Sequence, residues 1–559
     1  MSKKPPKKPS GTSLFGGINN IHSHPTRRVT TTMAQSTMAS PASTQQTQQQ
    51  QRLRTSLPRP GVPGRKITKP EDFFWHTSNV QILPEIPTTR QVTPKPVTFK
   101  NAEDLASYIC LANKAEKEFA EVPLLRRALL VAERWVNQGT QTYSERSTFT
   151  QLQPHLQPKS TTPTIQVPAF LVSPTEVNVF TSGEPTTAAE KRFVSEDGIF
   201  MPMHPASHGQ PGPQHWFGEY DFTNPGPDKQ MTATSSSSSR SVFFLPENAE
   251  EEDFFTAKMP LGVFGDQSSL TVSRFQRRLP ERVIKHCVAC SKALSEIKDV
   301  PEFAYMPEPL GVAFPAKDEY LGFGFLLRKN TPRPLAKKPR LVVPFFSLYS
   351  ENTINPNDPP LLVMLIKDAM AKHPRMDPAQ YILQHVMFPV IKSWVSAYQQ
   401  QGMLMELHGQ NTLLEFDDNL KPTRIVHRDL DNYMDWKKRE ELGLSNEGLN
   451  PEYDASDPAI PQGSAFSLIF DSSIGHHTFD FMADMMQKHF GTDPEVLHRM
   501  CQDYFQEQFP DFAKHFPSDG KIWYYGKEVG TNEFPVVSTG KAPRWRPSKP
   551  SPSLTQGRR

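Results

Sequence analysis

Two basic ends without a single acid bracket an acidic body, and that partition limits where this chain can fold. Residues 1–70 hold twelve Lys and Arg and no Asp or Glu, and residues 534–559 hold six and none. The span between carries 44 basic against 59 acidic residues, so the formal net charge of +3 conceals a body of −15. An acidic body has no bulk electrostatic footprint for nucleic acid. The N-terminal end also carries a Gln run ending at Gln51 and a Ser/Thr/Met stretch, a composition that cannot bury enough apolar surface to order itself. Proline, 55 of 559 residues, is at roughly twice its usual level and helps exclude packed structure from both ends.

No run of about 18 apolar residues exists, which excludes a membrane-spanning helix. No apolar segment follows the basic N-terminus, which argues against a secretory signal. Four cysteines in 559 residues exclude a disulfide scaffold and fit a reducing compartment, so a cytoplasmic location is expected. Cys287 and Cys290 have no second pair at zinc-site spacing and fall in a helical pattern, which favours a structural role.

Periodicity begins near Val97. It predicts helices over 101–117 and 123–136, then short β-type runs between Val167 and Phe255, a helix over 281–298, and strands over 321–328 and 340–349. Asp377 as N-cap, Pro378 at the first helical position and Gly402 as terminator bound a long helix. Met403 to His408 reads as a strand, and 412–416 with 423–427 as a hairpin around Asp417, Asp418 and Asn419. Past Gly475 the pattern is helical, with a further helix starting at Asp493–Pro494.

The chemistry concentrates in Glu406-Leu407-His408-Gly409-Gln410-Asn411. On a strand, Glu406, His408 and Gln410 share one face while Met405 and Leu407 face a core. The hairpin then brings Arg428 and Asp429 beside Gln410 and Asn411. Two carboxylates, an amide, an imidazole and a guanidinium suit a magnesium–polyphosphate site. The bland reading is a polar network on a half-exposed sheet. Upstream, Ser235 to Ser239 precede Arg240, then comes Lys258-Met259-Pro260-Leu261, then hydroxyls and Arg274 in 268–274. Hydroxyls, guanidinium groups and a lone ammonium can cradle a triphosphate. A third element, Met201-Pro202-Met203-His204-Pro205, with His208 nearby, puts a histidine between prolines on a rigid loop.

These elements, in this order over roughly 190–530, resemble the IucA/IucC family of NRPS-independent siderophore synthetases. The signature resembled is Glu406-x-His408-x-Gln410-Asn411 followed by Arg428-Asp429. The upstream parts are Ser238-Ser239-Arg240, Lys258-Met259-Pro260-Leu261, the segment ending at Arg274, and the His204 loop. The resemblance implies an α+β, cupped-hand fold with a helical thumb, β-rich fingers and a mixed α/β palm, flanked by disordered tails. On this chain the regions are 1–96 (tail), 97–165 (thumb-like), 166–330 (fingers-like), 331–533 (palm-like) and 534–559 (tail). It implies ATP- and Mg²⁺-dependent adenylation of citrate or a citrate derivative, then attack by an amine or hydroxyl to give an amide or ester.

Carried over residue by residue, Ser238, Arg240, Lys258, Arg274, His408, Gln410 and Arg428 would bind the nucleotide, with His408, Arg274 and Lys258 acting on the reacting phosphate. Glu406, Asn411 and Asp429 would hold Mg²⁺. His204 would face the carboxylate substrate, with Lys521 or Lys527 as a C-terminal partner. Where the family carries a first His, this chain has Met201. Dimerisation is common in the family. Neither nucleic acid nor membrane is an expected partner. A protein kinase, suggested by His427-Arg428-Asp429-Leu430, lacks the Asn five residues after the Asp, where Met434 stands. The other class is a non-catalytic relative that binds nucleotide and serves as an interaction platform. The acidic run Glu250–Asp253 and the altered His204 loop favour that class.

Overall fold

The computed structural model describes residues 98–114, 117, 119–136, 153–184, 188–207, 228–238, 240–246, 255–260, 279–315, 323–525 and 536–550. These belong to one compact unit, 66–559. Asn101 caps the helix Ala102–Cys110 by accepting from the Asp104 N–H, and Pro123 opens the helix Leu124–Trp135. Both helices bury their apolar stripes, Leu105 and Ile109 in the first and Ala128, Leu130 and Ala132 in the second. The second helix matches the expected 123–136, while the first, expected over 101–117, ends at Cys110.

The strands are β1 (Ile165–Val172), β2 (Asn178–Thr181), β3 (Ile199–Pro202), β4 (Lys229–Ser235), β5 (Ser241–Phe244), β6 (Phe255–Lys258), β7 (Phe303–Tyr305), β8 (Leu310–Ala313), β9 (Gly324–Lys329), β10 (Leu341–Pro344), β11 (Met403–Leu404), β12 (Thr412–Phe416), β13 (Pro422–His427), β14 (Tyr433–Met434), β15 (Trp523–Tyr525) and β16 (Val536–Ser538). Eight form one antiparallel sheet in the order β2-β8-β9-β6-β5-β4-β1-β3. Its inner face packs Phe193, Phe244, Phe255 and Phe325, with neighbouring ring centroids 5.3–5.7 Å apart. The second sheet runs β10-β12-β13-β7, with β7 parallel to β13. The helix Glu281–Ser295 leads into β7, and the long connection from β7 to β13 leaves room for the crossover that parallel pairing requires.

The long helix expected from Asp377 to Gly402 is present, with a wide turn inside it. Pro378–Ile382 and Phe388–Gln401 are α-helical, while 383–387 widens to the π form. Pro389 has no N–H to donate to the carbonyl four residues back, and a π turn is the usual way for a helix to continue past such a gap. Trp394 is fully buried against Phe466, Phe470, Phe505, Phe509 and Phe516, and these rings form the palm-side core. The 340–349 strand is half right: after Leu341–Pro344 the chain turns into the short helix Phe345–Tyr349. Part of the C-terminal segment expected as a tail is packed. Trp545 is 2% and Arg546 0% exposed, and Arg546 pairs with Asp471 at 2.8 Å. Residues 551–559, like 1–97, lie outside the described residues. Among the described residues no helix is long and apolar enough to cross a membrane.

Candidate active site

The two sheets meet at Asp429. β13 ends at His427, and the chain then turns through Asp429 with φ +66°. That left-handed backbone is uncommon for a side chain other than Gly, and Asp and Asn tolerate it best. The turn aims the Asp429 carboxylate at Lys258, the last residue of β6, with Nζ 2.5 Å from Oδ1. β6 pairs with β9 so that Thr256 opposes Arg328, which puts Arg328 and Lys258 on one face. Arg328 Nη2 lies 3.5 Å from the same Asp429 oxygen and donates to Glu308 Oε1 at 2.6 Å. The second Glu308 oxygen accepts from the Leu430 N–H at 3.3 Å. Burial opposes ionisation of Asp429, but Lys258 and Arg328 outweigh it and hold the carboxyl far below the ordinary range. Arg240 stands beside Lys258 through the pairing of Ser241 with Lys258, and its charge also reaches Asp429.

Around this pair lie three further carboxyl groups, Glu406, Asp431 and Glu308. Burial, then the fields of Asp429 and Asp431, push Glu406 up to about 8. Burial likewise pushes Asp431 up; its Oδ2 accepts from the Tyr453 hydroxyl at 3.2 Å, and its Oδ1 is buried without a hydrogen-bond partner among the described residues. Glu308 is also pushed up by burial despite Arg328. Carboxylates that raise one another's pKa are relieved by a cation, so the donor set fits a hard divalent ion. Among the described residues, no three His, Cys, Asp or Glu side chains already converge on one point. Asn411, buried, is the neutral oxygen donor nearby.

His408 does not sit on a strand. β11 stops at Leu404, and the Leu407 and His408 N–H groups donate back to Met405 and Glu406 carbonyls, both at 3.0 Å. These two tight turns replace the expected alternation, because this buried stretch satisfies its backbone locally instead of on a neighbouring strand. Met405 and Leu407 still face the core, at 0% exposure. His408 Nδ1 accepts from the N–H groups of Gln410 and Asn411, both at 3.3 Å. The ring proton is therefore on Nε2, and burial, which lowers its pKa to about 3, keeps the imidazole neutral. Gly409 lies against the Tyr349 hydroxyl, where a Cβ would overlap it.

The hairpin register is as expected: Thr412 opposes His427, and the Arg428 N–H donates to the Asn411 carbonyl at 3.0 Å. Arg428 itself is engaged by Glu133 at 2.6 Å and by the Gln410 carbonyl at 2.8 Å. On the other wall, Ser236 Oγ accepts from the Ser238 N–H at 3.0 Å and donates to the Ser241 carbonyl at 2.8 Å, forming a compact hydroxyl turn before Arg240. His204 is buried, accepts at Nδ1 from the Ala206 N–H at 3.1 Å, and is pushed by burial to about 3. Its loop touches the Lys258 strand end through Ser207 Oγ, 3.4 Å from the Pro260 carbonyl. Lys521 is exposed and paired with Asp519 at 3.5 Å, and no contact among the described residues joins it to the Lys258–Asp429 cluster. Arg274, His208 and Lys527 lie outside the described residues.

Sequence reasoning missed Asp431, Glu308, Arg328 and Glu133. Each had a signal. Asp431 repeats the acid two residues after Asp429. Arg328 and Lys329 end a wholly buried strand, and Glu133 with Arg134 interrupts an apolar helix face.

A family model described as "FhuF: Ferric iron reductase FhuF-like transporter" matches residues 379–519. No curated protein sequence matches the chain. Among solved structures, the ATP-bound aerobactin synthetase IucA from a hypervirulent pathotype of Klebsiella pneumoniae is similar at TM-score 0.53 and 15% identity, over 78% of this chain and 82% of that one. The aerobactin synthetase IucC from the same source is similar at TM-score 0.51 and 14% identity, over 76% and 77%. These likenesses show the fold: the chain has the fold of the IucA/IucC siderophore synthetases that its motifs resemble.

Proposed function

We propose that the chain is an ATP- and Mg²⁺-dependent ligase of siderophore assembly. It activates a carboxylate, citrate or a citrate derivative, as the acyl-adenylate and condenses it with an amine or hydroxyl. The observation that carries this reading is the pairing of Lys258 with Asp429 across the two sheets, inside the field of Glu406, Asp431 and Glu308. The ATP bound to the similar IucA supports a nucleotide as the ligand of this fold.

In this reading Glu406, Asn411 and Asp429, with Asp431 beside them, hold the magnesium ion, which when bound neutralises charge on the phosphates. Lys258 and Arg240 face the phosphates as fixed cations. His408 contributes a neutral Nε2–H donor, positioned before charge develops and needing no reorganisation. Ser238 adds its hydroxyl, held in place by the Ser236 and Ser237 hydrogen bonds within the turn, and Arg274 is assigned to the same phosphate group. Gln410 and Arg428 shape the pocket, Arg428 by bracing Gln410. His204 takes the carboxylate substrate, with Lys521 as its C-terminal partner. The four described cysteines are buried and none is in a disulfide, which suits a reducing cytoplasm.

An iron reductase built on a cysteine-held cluster needs four thiolates, and residues 379–519 contain one cysteine, Cys501, whose thiol is buried. That donor set does not fit such a group.

The test is hydroxamate formation from citrate and hydroxylamine, with pyrophosphate release followed in parallel. Both depend on ATP and Mg²⁺, and His408→Ala lowers both by about a hundredfold or more. Binding of ATP with no turnover across a panel of carboxylic acids overturns the ligase reading in favour of a nucleotide-binding platform.

A further inference from the structure

Glu133 belongs to none of the motifs that the ligase reading uses. It lies in the last turn of the helix Leu124–Trp135 and is 0% exposed. Its two carboxylate oxygens serve two different loops. Oε1 lies 2.6 Å from Nη1 of Arg428, which in turn braces the Gln410 carbonyl. Oε2 accepts from the Ser237 N–H at 3.2 Å and from the Ser237 hydroxyl. Ser237 is the middle of the hydroxyl turn on the eight-stranded sheet, and Arg428 precedes Asp429 on the other sheet.

The helix that carries Glu133 is itself fixed. The next residue, Arg134, donates to the carbonyls of Pro158 (3.0 Å), Ser160 (3.1 Å), Thr162 (2.9 Å) and Pro163 (2.8 Å). Four bonds from one planar guanidinium prevent the helix from rolling, so the Glu133 carboxylate is a rigid spacer. Stability alone is a poor reason to bury such a group, since replacing a buried ion pair by packed apolar residues is often neutral or favourable. Geometry is a better one. A triphosphate must meet the Ser238 and Arg240 end of the turn with some of its oxygens and the Asp429 side with others. A misplacement of about 1 Å between the two costs on the order of a hundredfold.

We propose that Glu133 is a positioning residue that sets the spacing between the two walls of the nucleotide site, one carboxylate oxygen to each wall. The proposal rests on the ligase reading and adds a residue from a third part of the chain to it. Glu133 touches neither nucleotide nor metal in this account; it acts through Ser237 and Arg428.

The test is a double-mutant cycle on the full chain, read as ATP affinity by calorimetry, with the melting midpoint of every variant measured alongside. Glu133→Gln keeps the shape and loses the charge; Glu133→Asp keeps the charge and loses the reach. Each is expected to weaken ATP binding by about tenfold, and Ser237→Ala by a similar factor. Because the two act on one contact, Ser237→Ala/Glu133→Gln is expected to bind no more weakly than the worse single variant. Affinity of both Glu133 variants within about twofold of the natural chain, or losses that multiply in the double variant, overturns the proposal. Should the Glu133 variants fail to fold, Ser237→Ala decides, since it leaves the Glu133–Arg428 pair in place. Weaker ATP binding at an unchanged melting midpoint supports the proposal, and unchanged affinity overturns it. A natural chain that binds no ATP sinks the ligase reading itself, which is a separate outcome.

Discussion

At the scale of single residues, Asp429 combines a demanding backbone with a demanding electrostatic position. Its left-handed conformation and its contacts to Lys258 and Arg328 are two views of one constraint. Asp429→Asn keeps the left-handed preference and the size but removes the charge. We expect it to fold, and to lose about a hundredfold or more in ATP-dependent hydroxamate formation, measured at saturating Mg²⁺. Histidines give a second prediction. His286 donates from Nε2 to the Asn432 carbonyl at 2.8 Å and accepts at Nδ1 from the Asn450 N–H at 3.1 Å, which fixes it as neutral. Burial lowers its pKa to about 4, and that of His204 to about 3. The unfolded chain therefore binds protons below about 6.5 that the folded chain refuses. The histidines' contribution to stability is fully present above that pH and falls as pH drops towards 4, while the raised carboxyl of Glu406 acts in the opposite direction. Urea midpoints measured from pH 7 to 4.5 check the direction, and His286→Asn is expected to reduce the slope by about one proton. The residues that sequence reading missed are those whose partners lie far along the chain. Glu308 meets Leu430 across 122 residues and Glu133 meets Ser237 across 104, and no local pattern encodes such pairings.

Elements were most legible where the chain solves its own problem locally. The hairpin of β12 and β13 was readable because alternating residues flank an Asp-Asp-Asn turn, and its register set Asn411 opposite Arg428 correctly. The helix before it was readable from its Asp-Pro start and Gly402 end. Gly402 has φ +62°, and a Cβ there would stand 2.8 Å from Arg439 Cγ and 2.9 Å from the Asp435 carbonyl. Gly402→Ala is thus expected to cost about 2 kcal/mol from backbone strain and crowding, read as a lower urea midpoint with an unchanged slope. It also loosens the lead into β11 and Glu406, so activity falls with it. The 405–408 turns were not legible. Met405 and Leu407 alternate with Glu406 and His408 as they would on a strand, and the same apolar burial arises here from two successive tight turns.

For the molecule as a whole, composition separated the body from its ends and misjudged one border. The segment 541–550 is rich in Pro and basic residues, the composition of a solvated tail. Yet Trp545 and Arg546 lock it onto the helical core. The Trp545 indole donates to Asp480 at 2.8 Å, and Arg546 is enclosed with Asp471 and lies 4.0 Å over the Phe516 ring. Arg544, which pairs with Asp480, joins Trp545 and Arg546 in the docking, and averages over the segment hide these few contacts. Arg546→Met leaves Asp471 buried without its counter-charge, so a loss of about 3–5 kcal/mol in unfolding free energy is expected by chemical denaturation. Asp471→Asn in the same chain should return part of that loss, because no lone charge then remains inside.

The pairing of Asp471 with Arg546 spans 75 residues and runs from the middle of the palm to near the last described residue. During synthesis the carboxylate therefore waits, unmatched, while the whole intervening stretch is translated. The helical core can gather early, but it cannot be sealed until Arg546 has left the ribosome, 75 residues behind its partner.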